Sequence, residues 1–274
     1  MTLAAQISEA LDRNALDEAV AAATAAVRDG PSDAVARNLL IDLLILEGQF
    51  ERADKQCALA STFSPDLAVG FARLRGELRG MAAREAFFTE GAVPAFPGEP
   101  SACDALALRL SVSARKGTQS ETKPLLEALE DERAGQAMIV NGTPVADFRD
   151  CDDRTPHALE AISSGGAYLW VDFAKIAALT LKPMSRPRDI AFREAELTLH
   201  DGSVGTVLVP MLYHGGTQAA EVKLGRETAW QDLGSGITVG CGQRCFLSGD
   251  DLLPILELKT LEAAAPADRE ALHA

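Results

Sequence analysis

Four pairs of residues recur at one interval along the first quarter of the chain. Leu16 and Phe50, Ala19 and Ala53, Ala26 and Ala60, and Pro31 and Pro65 each stand 34 positions apart. They occupy equivalent points of LDEAVAAATAAVRDGP and FERADKQCALASTFSP. A unit of this length holds two short helices and a turn, and buries its apolar face only by stacking on a neighbour. In the second unit Leu39, Leu40, Leu43 and Leu44 form the apolar stripe of the first helix, and Gly48 closes it. Ala53, Cys57 and Ala60 give the second helix a face of small residues, and Pro65 ends the pair.

The interval is that of the tetratricopeptide repeat. Ile41 and Leu44 depart from the usual pattern, standing where that repeat has a small residue and a Tyr. Residues 66–90 read as one long helix running into the loop FFTEGAVPAFPGEPS. ACDALALRLSVSARKG and ETKPLLEALEDE then read as a third helix pair. From about residue 135 the character changes. Both Trp and both Tyr residues (Trp170, Trp230, Tyr168, Tyr213) lie in this half, with more Val and Gly and with strand-like alternation. AMIVNGTPV reads as strand, Asn-Gly turn and strand. AYLWVDF, IAFREAELTLHDG, VGTVLVPML, VKLGRETAW, GITVGCG and CFLSGDD read as further strands. Residues 154–164 read as a short helix with Pro156 in its first turn. The stretch 251–263 reads as a strand or a helix, and 264–274 as a frayed tail. The expected fold is α+β: a tetratricopeptide-like helical domain over 1–134, then a domain over 135–274 with a small antiparallel sheet or partly closed barrel.

Net charge is −14, spread over the whole chain, and no basic stripe is present to meet phosphates. Nucleic acid is therefore not an expected partner. No apolar run approaches the ~20 residues that span a bilayer. The start, MTLAAQISEALDRN, lacks the basic opening and apolar core of a secretory signal. Five cysteines without such a signal point to reduced thiols and a cytoplasmic location.

Chemistry-bearing residues concentrate in DFRDCDDRTPH, which holds Asp147, Asp150, Cys151, Asp152, Asp153 and His157. Closely spaced carboxylates can ligate a hard cation or share a proton, and a metal-dependent hydrolase is the alternative reading. The plainer reading is a polar loop whose acids pair with Arg149 and Arg154. Cys241 and Cys245 are spaced C-x3-C but lack a second ligand pair, so two buried strand thiols are expected rather than a zinc site. GSGITVGCG does not match a phosphate-binding loop, and no nucleophile-elbow or zincin motif occurs. Asp172, His200 and scattered serines carry no triad spacing. No catalytic residue, metal or cofactor is assigned. Phe87, Phe88 and Phe96 are expected to plug the seam between the domains, with a partner-binding patch as the sharper alternative.

Taken in order, EGQFERADKQ, REAFFTEGAVPAFPGEPS, DFRDCDDRTPHALEAISSGGAYLWVDFAKI, GRETAW and GCGQRCFL make the chain similar to the ImpE/TagJ (SciE-type) accessory proteins of bacterial type VI secretion systems. The likeness runs from about residue 10 to 250. It implies a non-catalytic cytoplasmic adaptor linked to the small subunit of the contractile sheath. Through that subunit it implies a link to the AAA+ ATPase that disassembles contracted sheath. A stack of helix pairs offers a concave face for a partner helix. With Ala53 at the repeat's small-residue point, Val35, Asn38, Asp42 and Ile45 fall on that face, joined by Ala4, Ser8 and Leu11 from the first unit. An apolar centre with an acidic edge would suit an amphipathic helix with basic flanks.

Overall fold

The computed structural model describes residues 1–117, 119–215, 219–234 and 236–265. The protein is α+β, with its helices first. Among the described residues seven helices precede the first strand: α1 (Leu3–Asp12), α2 (Leu16–Asp29), α3 (Ala34–Leu46), α4 (Phe50–Phe63), α5 (Ala68–Glu90), α6 (Ala102–Lys116) and α7 (Gln119–Arg133). The 34-residue interval is the interval between the starts of α2 and α4, at Leu16 and Phe50. α1 to α5 pack in series, each on the next.

That packing accounts for the composition of α3. It lies between α2 and α4 and also meets a 3-10 turn, Pro187–Ile190, from the second half of the chain. Every residue from Leu40 to Leu46 is buried. A helix covered on several sides has no need of a polar face. Asp33 starts α3 by accepting from the backbone N–H groups of Val35 and Ala36. Ala53, Cys57 and Ala60 are the buried face of α4. A reciprocal capping box between Ser101 and Asp104 starts α6. The tail beyond residue 265, His273 included, lies outside the described residues.

The second half carries thirteen strands among the described residues: β1 (Met138–Val140), β2 (Thr143–Val145), β3 (Phe148–Asp150), β4 (Ala158–Ser163), β5 (Tyr168–Asp172), β6 (Ile176–Leu181), β7 (Phe192–Leu199), β8 (Val204–Pro210), β9 (Thr228–Asp232), β10 (Thr238–Gly242), β11 (Cys245–Ser248), β12 (Asp251–Pro254) and β13 (Thr260–Ala263). Eight form one antiparallel sheet in the order β2-β1-β13-β6-β7-β8-β4-β5. β10 pairs with β9, and β12-β11-β3 form a third sheet.

Three local expectations need correction. Residues 158–163 are strand β4, not part of a helix. Leu159 and Ala161 enter the cluster inside the β region, while Ala158 and Ile162 face clusters built with the helices. A strand buried on both faces shows no polar alternation, so its period is invisible in sequence. VKLGRETAW is not one strand: Ala220–Lys223 form a short helix, and β9 begins at Thr228. The 251–263 stretch is two strands, β12 and β13, in different sheets.

Helices and strands share their cores. One apolar cluster joins α1–α5 to Ile162, Phe192, Leu208 and Leu224. Another joins Phe87 of α5 and Leu110 and Leu129 of the α6–α7 pair to Tyr168 and Trp170 of β5. α5 lies close against the β4–β5 turn. Gly166 sits in that turn at φ +86°, and a Cβ on it would fall 2.2 Å from the Gly76 carbonyl oxygen. Beyond α5 the chain joins the sheet edge: Ala95 N–H donates to the Tyr168 carbonyl at 2.8 Å, and Trp170 N–H donates to the Ala95 carbonyl at 3.0 Å.

Candidate functional site

The seven positions assigned to the concave face divide by exposure. Ala4, Ser8 and Val35 are exposed and Asn38 is half-buried. Leu11, Asp42 and Ile45 are buried. The burial of Asp42 has a specific cause. Arg186, just ahead of the 3-10 turn, donates from Nε and one terminal nitrogen to its two carboxylate oxygens, each at 2.8 Å. Arg188 Nε lies 3.9 Å away. Desolvation raises the Asp42 carboxyl above its ordinary value, with Arg186 opposing. Thus the chain's own 186–190 segment sits against α3 where an acidic edge was expected. Leu11 is covered in a related way: its carbonyl accepts from Arg226 at 2.7 Å, closing the C-terminal end of α1.

Beside this contact an open cavity of about 390 Å³ remains. Asn38, Leu67, Phe71 and Leu74 form part of its wall. Its charged lining is mixed, with Asp66, Glu77 and Glu194 against Arg73, Arg186 and Arg188. Arg73 donates to Glu77 at 2.9 Å and reaches Glu194 at 3.5 Å. Val35 on α3, Phe63 on α4, Leu67 in the 3-10 turn before α5 and Val69 on α5 are exposed apolar residues. A part-apolar hollow with charges of both signs can seat an amphipathic segment with polar edges.

The acids of the 147–157 run do not converge on one point. Asp147 accepts from Arg133, Asp150 from Arg244, Asp152 from Arg154, and Asp153 from Arg149. Each carboxylate has its own guanidinium, as in a paired polar loop. His157 turns away from them and meets Asp104 of α6.

Sequence reasoning missed the buried ion network between α5 and the sheet. Arg84 of α5 donates to both oxygens of Glu160 on β4, at 2.8 and 3.0 Å. Arg244 donates to Glu160 and to Asp150. Tyr168 donates to Glu160 at 2.5 Å, Trp170 to the Tyr168 hydroxyl at 2.8 Å, and Tyr213 to Asp150 at 2.9 Å. Burial alone would raise Glu160, but Arg84 and Arg244 outweigh it and hold the carboxyl well below its ordinary range. Burial dominates at Asp150, which is pushed up to about 6 although Arg244 opposes the rise. The partners lie 76 and 84 residues from Glu160, so no local pattern announces them. Beside the network, His214 stacks on Phe88 with ring centroids 4.4 Å apart and bonds Glu85 at 3.0 Å. Phe87 and Phe96 pack edge-on to Trp170, so the three phenylalanines fill the helix–sheet seam. Cys241 and Cys245 are free, buried thiols on β10 and β11.

The Arg84–Glu160–Arg244 network serves to join helix to sheet. Its acids and bases neutralise one another, and nothing in it presents a poised nucleophile. No described helix is long and apolar enough to cross a membrane.

Comparison with known proteins agrees with this architecture. The family model described as ImpE protein matches residues 142–262. The type VI secretion system accessory component TagJ of Pseudomonas aeruginosa is 29% identical over 264 residues, which is 94% of this chain and 91% of that protein. The crystal structure of protein VPA1032 from Vibrio parahaemolyticus superposes with a TM-score of 0.87 at 29% identity, covering 95% of this chain and 98% of that one. The match to the ImpE family model thus lies in the β region at 142–262, and the likeness to TagJ runs through the helices as well.

Proposed function

We propose that the protein is an accessory component of a type VI secretion system, working in the cytoplasm by binding rather than by catalysis. The observation that carries this reading is the likeness to TagJ over 94% of the chain. The proposed partner is the small subunit of the contractile sheath. Its contribution would be an amphipathic helix lying along the helical groove. Through that contact the protein would influence disassembly of the sheath by the AAA+ ATPase. The docking face is the accessible part of the row named from sequence: Ala4, Ser8, Val35 and Asn38, with the hollow at Asn38 beside it. Leu11, Asp42 and Ile45 form the floor beneath. Exposed Val35 supplies apolar contact, and the mixed charges of the hollow supply polar edges.

The test is a pull-down of the purified full chain against the small sheath subunit, followed by titration calorimetry. The expected result is a complex that Val35→Glu plus Asn38→Arg weakens at least tenfold, with unchanged circular dichroism. Tight binding undiminished by the pair would move the interface off this face. No binding of any sheath component would overturn the adaptor reading.

A further inference from the structure

His157 has an unused nitrogen in a place where one is costly. Its side chain is 1% exposed, and Nε2 lies 3.0 Å from Asp104 Oδ1. A carboxylate oxygen only accepts, so Nε2 carries the hydrogen and Nδ1 is left with its lone pair. Nδ1 is buried and has no hydrogen-bond partner among the described residues. A buried acceptor left unmatched is destabilising unless something fills the position.

What lies around it suits a cation. Asp104, His157 and Asp172 are all buried, and one ligand atom from each lies within 4.8 Å of the others. His157, Asp172 and Cys103 line a cavity of about 190 Å³ between the start of α6 and the end of β5. Two cations stand nearby, and both are committed elsewhere. Lys175 lies 4.0 Å from Asp104 and donates to the carbonyls of Pro97 and Glu99. Arg133, in the cavity wall, is bound to Asp147 and Glu130. Asp172 spends Oδ1 on the N–H of Ala174 and has no ion pair among the described residues. Glu132 adds a further acid to the wall.

The geometry points to a divalent transition-metal site, best suited to Zn²⁺, at the junction of α6 and β5. His157 Nδ1 and Asp172 are its protein ligands. Asp104 takes the part of the carboxylate that holds a ligating imidazole through its other nitrogen, which fixes the tautomer and orients the ring. Imidazole and carboxylate are both zinc donors, and water completes the coordination. The ion's role is structural: through the His157–Asp104 bond it ties the first turn of α6 to the sheet. This inference is independent of the secretion reading and stands or falls separately.

The full chain is dialysed against a chelator and titrated with Zn²⁺, with Mg²⁺ as the control. One equivalent of Zn²⁺ is expected to survive gel filtration. At a hundredfold excess over Kd, Tm should rise by about 5 °C. His157→Gln and Asp172→Asn should each lower the affinity by at least tenfold. Asp172→Asn retains the cap on Ala174, so it keeps the test valid if His157→Gln fails to fold. X-ray absorption on the zinc-loaded wild type should show one imidazole and no sulfur. Failure of the wild type to retain zinc would overturn the site, as would undiminished binding in both variants. A spectrum with two sulfurs and no imidazole would do so too, placing the ion at Cys241 and Cys245.

Discussion

Arg186 holds Asp42 through two hydrogen bonds of 2.8 Å, across a separation of 144 residues. One carboxylate of the helical array is thereby satisfied from the β region. Asp42 is 2% exposed, so removing its partner leaves a buried charge with, among the described residues, Arg188 as its one remaining cation within 4 Å. Arg186→Ala should cost about 3 kcal/mol, the low end for breaking a buried pair, because Arg186 itself is part-exposed. Asp42→Asn in the Arg186→Ala background should recover part of that loss. Urea midpoints of the four-member cycle measure it. A single-variant cost below about 1 kcal/mol would mean that the pair does not hold the turn in place.

The seam between α5 and the β4–β5 turn has no room for one carbon. A Cβ on Gly166 would meet the Gly76 carbonyl oxygen at 2.2 Å, and its φ of +86° disfavours any side chain. Backbone cannot step aside as a side-chain tip can. Gly166→Ala is expected to lose about 2–4 kcal/mol from overpacking and strain together. Gly202→Ala is the control, since that glycine has positive φ but open space around it. It should lose only the conformational part, about 1 kcal/mol. Equal losses for the two would remove the steric argument.

Arg244 serves two buried carboxylates. Arg244→Ala takes the guanidinium from buried Asp150 and leaves Glu160 to Arg84, so the loss should reach about 3–5 kcal/mol and leave little folded protein at 37 °C. Glu160→Gln keeps the shape and one acceptor but leaves Arg84 and Arg244 short of a negative charge. It should cost less than Arg244→Ala, yet clearly more than a surface change. Thermal unfolding of both variants against the wild type gives the order.

His214 resists protonation in the folded protein. Burial is the main cause, and nearby Arg84 adds to it, while the bond to Glu85 opposes. The unfolded imidazole takes up a proton near its ordinary value of about 6.5. Below that pH the unfolded state therefore binds more protons, and stability falls with pH until the folded imidazole titrates too. His214→Gln should flatten this fall between pH 6.5 and 5 without altering the wild-type trend above pH 7. Urea midpoints at half-unit pH steps would read it; identical slopes for both proteins would refute the assignment.

The helical half was legible because its signals are local. The interval from Leu16 to Phe50 is set by one hairpin's length, and the small face of Ala53, Cys57 and Ala60 by one helix contact. The run from 66 to 90 resolves into a short 3-10 turn and α5, ending at Gly91 in the left-handed region. β4 was misread because strands on both sides and apolar neighbours on both faces erase its alternation. The candidate sites were harder still. His157 was read with its neighbours in sequence, but its partner is Asp104, 53 residues earlier. Asp42 was read as an open acidic edge because nothing near it announces Arg186. Long-range ion pairs have no period, so only the folded chain displays them.

The bond pair between Ala95 and β5 bears on how the chain can be cut. Residues 94–96 come before the helix pair α6–α7 yet complete the edge of a strand that follows it. A truncation at residue 134 would separate that extension from its ladder and uncover Trp170, which is fully buried in the whole chain. Each half would then present bare apolar surface and an unpaired edge, the features that drive self-association. Recombinant halves should therefore be recovered as aggregates, and co-expression of the two pieces should restore solubility by letting the edge re-form.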